Sequence, residues 1–160
     1  MRNFEIRLKR LKLRALRFAN APFTVVARRL NLKVARDQGE ITRDSIKSNK
    51  ILSPYFEKVD SQFFTQFTMT SQSLLKLRHI LLEEKPRMIC ECGCGATTIL
   101  ISALIKSGEL ESVNHFLSLE ESNDWKNETH RQLEKANLKD FAKIVVCPRA
   151  EGEFKEKHEH

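Results

Sequence analysis

The amino-acid sequence predicts an α/β fold, with a parallel sheet whose strands are joined by crossover helices. Two observations carry this prediction. Short apolar runs alternate with helical patterns from Met88 to Cys147, and a turn containing Gly93 and Gly95 lies between the first apolar run and the helix after it. This order is typical of parallel strands with right-handed crossovers. The length of 160 residues suits one domain of ordinary size.

The elements of this fold follow from the spacing of apolar residues and from turn residues. They are, in chain order, a buried strand from Met88 to Cys92, a helix from Thr97 to Lys106 with Gly108 at its end, a second strand from His115 to Leu119, a helix with its apolar stripe at Trp125, Leu133 and Ala136, and a third strand from Lys143 to Cys147. Only these three strands are evident. The sequence therefore predicts a domain over residues 70–150, followed by a charged tail over residues 151–160.

The part of the chain before this domain is divided by composition. Leucines at positions 74, 77 and 81 predict a helix that runs to about Glu84 and is stopped by Pro86. Residues 37–69 form a linker and aromatic segment, in which the polar stretch from Asp37 to Lys50 indicates a linker or surface loop. The aromatic residues that follow it indicate packing; they are Tyr55, Phe56, Phe63, Phe64 and Phe67.

Residues 1–36 form a strongly basic extension. They contain eleven Lys and Arg against the single acid Glu5, a net charge of +10, so the remaining residues sum to −3 within the total of +7. Apolar residues from Phe4 to Phe18 recur at helical spacing, which predicts a basic amphipathic helix. Such a helix could bind an anionic membrane, nucleic acid or a protein partner, or pack on its own domain. A transit peptide fits less well because serine is scarce.

Four cysteines, three of them packed into positions 90, 92 and 94, make a poor disulfide framework. Reduced thiols in a cytoplasmic setting fit better. A zinc site that also used Cys147 is conceivable, but the spacing differs from that of usual structural zinc sites, and no metal is predicted. The sequence contains neither a long apolar run that would span a membrane nor a secretory signal, so an intracellular protein is expected.

The candidate site is the segment Glu91-Cys92-Gly93-Cys94-Gly95-Ala96-Thr97-Thr98. Glycines at alternate positions let the backbone approach a ligand, and the helix that follows offers N–H groups, which together indicate a nucleotide-like ligand. The third glycine of a dinucleotide fingerprint is replaced by Thr98, and the Lys-Ser/Thr pair of a triphosphate loop is absent. At the end of the second strand, Glu120 is placed to accept hydrogen bonds from ribose hydroxyls.

These two motifs together resemble class I S-adenosylmethionine-dependent methyltransferases. The segment Ile89 to Thr98 is similar to the first motif of that class, and Phe116 to Glu120, continuing to Asp124-Trp125, is similar to its second-strand motif. The resemblance implies a Rossmann-like sheet and S-adenosyl-L-methionine as cofactor. The residues it assigns to cofactor binding are Glu91, Gly93, Cys94, Gly95, Thr97, Thr98, Glu120, Glu121 and Arg149.

The resemblance covers residues from about 70 to 150, the cofactor-binding half of such a fold. It implies an enzyme that methylates an unidentified acceptor. It also leads us to expect that the chain is truncated, or that a second chain, a second copy or the N-terminal segment completes the sheet. No histidine falls where the family pattern would mark it, so no catalytic residue is named. A non-catalytic interaction module that binds through residues 1–36 is the alternative, and a nicotinamide-dependent oxidoreductase is a weaker one.

Overall fold

The structure, a computed structural model that describes residues 36–147, contains a three-stranded parallel sheet. The strands are β1 (Met88–Cys92), β2 (His115–Glu120) and β3 (Lys143–Val146). They lie in the order β1-β2-β3, with Met88 opposite His115 and Leu117 opposite Lys143. The prediction of an α/β fold built on a parallel sheet is confirmed, and the strand bounds agree with the predicted ones to within one residue.

Helices precede the sheet and connect its strands. They are α1 (residues 36–48), α2 (Ser53–Phe56), α3 (Ser71–Glu84), α4 (Ala96–Lys106) and α5 (Asn123–Lys135), with short 3-10 helices at Ser61–Phe63 and Lys139–Phe141. Helix α4 joins β1 to β2 and α5 joins β2 to β3, as the sequence predicts. The side chain of Thr70 caps α3 and that of Ser122 caps α5, each accepting a hydrogen bond from a backbone N–H of the first turn at 3.2 Å.

The core lies between the helices and one face of the sheet. Phe116 of β2 and Ile144 of β3 are buried on this face, and α5 contacts both strands. Helix α4 buries most of its length, including Ile99, Leu100 and Leu104, and packs against α2 and α3. Each aliphatic side chain buried in this way stabilises the fold by about 1.5–3 kcal/mol. The core thus fixes the start of α4, where the glycine turn enters it.

Strand β1 is less buried than predicted. Met88 is 67% exposed, Cys90 and Cys92 are also exposed, and only Ile89 and Glu91 are half-buried. The physical reason is position, because β1 lies at an edge of the sheet among the described residues and pairs only with β2. An apolar run alone does not distinguish an edge strand from a central one.

The prediction of a linker or loop from Asp37 to Lys50 is wrong, because residues 36–48 are helical. Gly39, Thr42 and Ile46 share the buried stripe of α1. A side chain at Gly39 would place its Cβ 2.6 Å from the carbonyl oxygen of Phe64, so this helix packs closely on the aromatic segment. Two of the three stripe residues are not apolar, which explains why apolar spacing did not reveal the helix.

The aromatic segment packs as predicted, with one exception. Phe56, Phe63 and Phe64 are buried, and the ring of Phe64 contacts the rings of the other two, whereas Phe67 is 85% exposed. The basic helix predicted within residues 1–36, the charged tail and Arg149 fall outside the described residues, apart from Arg36 itself. No helix in the described range is long and apolar enough to cross a lipid bilayer.

Candidate functional site

The glycine turn leaves the end of β1 and enters α4. Gly93 adopts φ +88°, a left-handed conformation that favours glycine, and its N–H donates to the carbonyl oxygen of Leu119 at 2.6 Å. This bond extends the pairing of β1 with β2 by one step and fixes where the chain departs from the sheet. A Cβ built at Gly93 would meet no atom within 4 Å, so the turn presents bare backbone to open space.

Cys94, the central residue of the turn, is held through all three of its polar groups. Its N–H donates to Oε2 of Glu120 at 2.9 Å, and its carbonyl oxygen accepts from Nε1 of Trp125 at 2.6 Å. Its Sγ donates to the hydroxyl of Thr129 at 3.2 Å. Burial and the nearby carboxylate of Glu120 raise the pKa of the Cys94 thiol to about 12, so this thiol is neutral at physiological pH. Its role is to fix the turn in place.

Glu91, near the end of β1, holds the start of α4 through hydrogen bonds. Its carboxylate accepts hydrogen bonds from the hydroxyl of Thr97 at 2.7 Å and from that of Thr98. The hydroxyl of Thr98 in turn accepts from the N–H of Gly95 at 2.9 Å. Burial raises the pKa of Glu91 even though both threonines favour its ionised form.

Glu120 ends β2 directly beside the turn. Its oxygens accept from the N–H groups of Cys94, at 2.9 Å, and Ser122, at 2.8 Å. Burial acts to raise its pKa, but these backbone donors outweigh burial and hold the pKa below its usual value. Only 6% of the residue is exposed, so an ionised carboxylate is kept in a sheltered position at the carboxyl ends of the strands.

A cavity of about 1540 Å³ opens above these residues. Most of the predicted site residues line it together; they are Glu91, Gly93, Cys94, Gly95, Thr97, Glu120 and Glu121. Thr98 is fully buried and supports Glu91 from behind instead of lining the cavity. Arg149 lies outside the described residues.

The cavity also has walls that the sequence did not assign. Trp125 lines it, as do Phe67 and Met69 of the aromatic segment. Three charged residues of α1 also line it: Arg36, Glu40 and Arg43. Trp125 could have been singled out because it follows Glu120 closely within the second motif, but nothing in the sequence placed α1 near the glycine turn.

The polar groups of the cavity suit a ligand that carries hydroxyl groups and positive charge. The open side of Gly93 leaves room for a ligand against the backbone, and Glu91, Glu120 and Glu121 bring carboxylates to the same end. Such carboxylates favour hydroxyl donors and cationic groups. Among the described residues, no group of three or more potential metal ligands lies close enough together to hold an ion, and Cys90, Cys92 and Cys147 are exposed free thiols.

The sequence matches none of the protein-family models and none of the curated proteins against which it was compared. The function is therefore inferred from the residues of the chain itself.

Replacing Glu91 by Gln is expected to raise the melting temperature at neutral pH. Because burial raises the pKa of Glu91, the folded protein binds this proton more tightly than the unfolded chain does. Ionisation of Glu91 therefore lowers the stability of the wild type as the pH rises from the ordinary carboxyl pKa through the raised pKa of the folded state. Gln does not ionise, so the variant avoids this loss of stability. Thermal unfolding of both proteins at pH 4 and pH 7.5 measures the effect. A Glu91→Gln advantage that is as large at pH 4 as at pH 7.5 would contradict this account.

Proposed function

We propose that this chain carries the cofactor-binding part of a class I S-adenosylmethionine-dependent methyltransferase with a Rossmann-like sheet. One observation carries the proposal. Glu120, at the end of β2, bonds through its carboxylate to the backbone of the glycine turn that follows β1, and both border the same cavity. A glycine turn beside an acid at the end of the adjacent strand is the arrangement by which sheets of this kind bind a nucleoside.

Each end of the cofactor has a candidate partner. We assign the ribose hydroxyls to Glu120, whose sheltered, ionised carboxylate makes charge-assisted hydrogen bonds. The methionine portion would lie against the bare backbone of Gly93 and Gly95, where Glu91 is close enough to favour its positive charge. We place the adenine near Glu121, and we place Thr97, at the start of α4, beside the methionine and ribose portion. Arg149 remains a prediction for the adenine edge.

The bound cofactor supplies the methyl group, and the chain supplies orientation. Holding a reactive sulfonium beside its acceptor converts an encounter in solution into a positioned reaction, which lowers the barrier without a strong acid or base. Phe67, Met69 and the charged residues of α1 line the same cavity from segments that precede the turn in the chain, and they are candidates for contact with the acceptor. The acceptor itself stays unassigned.

Binding of S-adenosylhomocysteine should change the fluorescence of Trp125, the only tryptophan of the chain. Its indole lines the cavity and bonds to the glycine turn, so a ligand on that turn alters its surroundings. Titration of the full chain, followed by emission and by calorimetry, is expected to give one saturable site with a matching dissociation constant. A folded chain that binds neither S-adenosylhomocysteine nor S-adenosylmethionine would defeat the proposal and favour an interaction module acting through residues 1–36.

A further inference from the structure

Trp125 joins two parts of the structure that are distant in sequence. On one side, its Nε1 donates to the carbonyl oxygen of Cys94 at 2.6 Å. On the other, its ring is stacked on that of Phe63, with centroids 5.3 Å apart and planes inclined by 7°. The backbone N–H of Trp125 donates to the hydroxyl of Ser122, so the residue is also fixed at the first turn of α5. These contacts leave Trp125 little freedom to move independently of either neighbour.

Phe63 is itself firmly anchored. It is 2% exposed and ends the 3-10 helix that follows Asp60. The N–H of Asp60 donates to Oε1 of Gln132 at 2.9 Å, and the carboxylate of Asp60 pairs with Lys135 at 2.6 Å. Phe63 is followed directly by residues 64–69, all of which line the cavity. Residues 64–69 thus form one wall of the cavity, and the contacts of Asp60 and Phe63 with α5 fix the position of this wall relative to that helix.

The bond from Trp125 reaches further than Cys94. The carbonyl of Cys94 and the N–H of Gly95 belong to one planar peptide, so fixing the direction of the first fixes that of the second. The N–H of Gly95 donates to the hydroxyl of Thr98, which donates to the carboxylate of Glu91. A continuous path thus runs from the indole, through one peptide and one threonine, to the acid below the turn.

We infer that Trp125 is a positioning residue that locks the Cys94–Gly95 peptide and ties the glycine turn to the cavity wall formed by residues 64–69. The indole acts on the site through that peptide and through Glu91, and it need not touch the ligand to do so. The expected effect of Trp125 on ligand binding rests on the proposed function, whereas its expected effect on the conformation of the turn does not. The two are tested separately.

The turn is tested by the reactivity of its thiol. Cys94 is buried and reacts only when the turn opens, while Cys90 and Cys92 are exposed and serve as internal standards. In Trp125→Phe, which keeps an aromatic ring but loses the N–H donor, alkylation of Cys94 by iodoacetamide should be about tenfold faster, the population change that corresponds to one hydrogen bond. The rates at Cys90 and Cys92 should not change. Mass spectrometry of timed, quenched samples gives all three rates.

Two further variants separate positioning from general loosening. Phe141→Leu removes part of a half-buried ring in the 3-10 helix Lys139–Phe141, away from the turn, and should leave the Cys94 rate unchanged. Phe63→Leu keeps the indole donor but removes its stacking partner, and should raise the rate by a smaller factor. It also serves as the test if Trp125→Phe does not fold. Equal Cys94 rates in wild type, Trp125→Phe and Phe63→Leu would overturn the inference.

Ligand binding supplies the second readout. Trp125→Phe should weaken S-adenosylhomocysteine binding about tenfold by calorimetry, and should weaken it less in a Glu91→Gln background, because the path ends at Glu91. If the effects of Trp125→Phe and Glu91→Gln on the binding free energy were fully additive, the inferred coupling of Trp125 to Glu91 would be overturned. If the wild type bound no S-adenosylhomocysteine while Cys94 became reactive in Trp125→Phe, the proposed function would fail and the positioning role would be upheld.

Discussion

Replacing Glu120 by Gln is expected to weaken S-adenosylhomocysteine binding by at least about a hundredfold. Hydrogen bonds to a charged group contribute roughly 1.5–3 kcal/mol each, and a ribose offers two hydroxyls, so losing both exceeds two factors of ten. The variant also disturbs the turn. Gln has one acceptor oxygen, so its amide group would face one of the two backbone N–H groups that Glu120 now satisfies, those of Cys94 and Ser122.

The matched control for this variant is Glu111→Gln, which removes the same charge from an exposed residue outside the cavity lining. Its affinity should equal that of the wild type. Because the pKa of Glu120 is lowered in the fold, its contribution to stability is present above the ordinary carboxyl pKa and is lost as pH falls through the lowered value. The stability gap between wild type and Glu120→Gln should therefore narrow in acid. If Glu120→Gln bound S-adenosylhomocysteine with unchanged affinity, the assignment of Glu120 to the ribose hydroxyls would be wrong.

Replacing Gly93 by Ala is expected to lower stability by about 1–2 kcal/mol and to abolish measurable ligand binding. The stability cost arises because an L-residue with a side chain is strained at φ +88°. The loss of binding has a separate cause. Gly93 lines the cavity, and an added methyl group there would meet no protein atom within 4 Å, so it would occupy space that a ligand lying against the turn needs. Urea unfolding and calorimetric titration measure the two effects.

Gly108→Ala separates these causes. Gly108 follows α4, has φ +80°, and also leaves open space around an added Cβ, but it does not line the cavity. It should show the same loss of stability with normal affinity. If Gly93→Ala bound S-adenosylhomocysteine as tightly as Gly108→Ala does, the ligand would not lie against the turn, and the assignment of the site would be wrong.

The sequence was most informative where structure is set by neighbours along the chain. The strands from Met88 onward, the helices between them and the glycine turn are local patterns, and the structure bears out their order and approximate bounds. Glu91, Gly93 and Glu120 line one cavity in the structure. The parallel order of β1 and β2 accounts for this, because the carboxyl ends of parallel strands meet at one edge of a sheet.

What the sequence missed depends on packing between distant segments. Helix α1 buries a stripe that includes glycine and threonine, so its environment comes from Phe64 and not from its own pattern. The stack of Phe63 on Trp125 joins residues far apart in the chain, and neither residue type signals that partner. The exposure of β1 likewise depends on which strands flank it, which apolar content does not encode.

The strand order β1-β2-β3 also bears on how this part of the chain reaches its fold. Every pairing in the sheet joins strands that are successive in the chain, Met88 with His115 and Leu117 with Lys143, so each loop that must close spans fewer than about thirty residues. Short closures cost little chain entropy and favour rapid nucleation. The β1–α4–β2 unit can therefore form early and serve as a template for β3. The glycine turn, which belongs to that unit, would then be shaped among the first parts of the molecule.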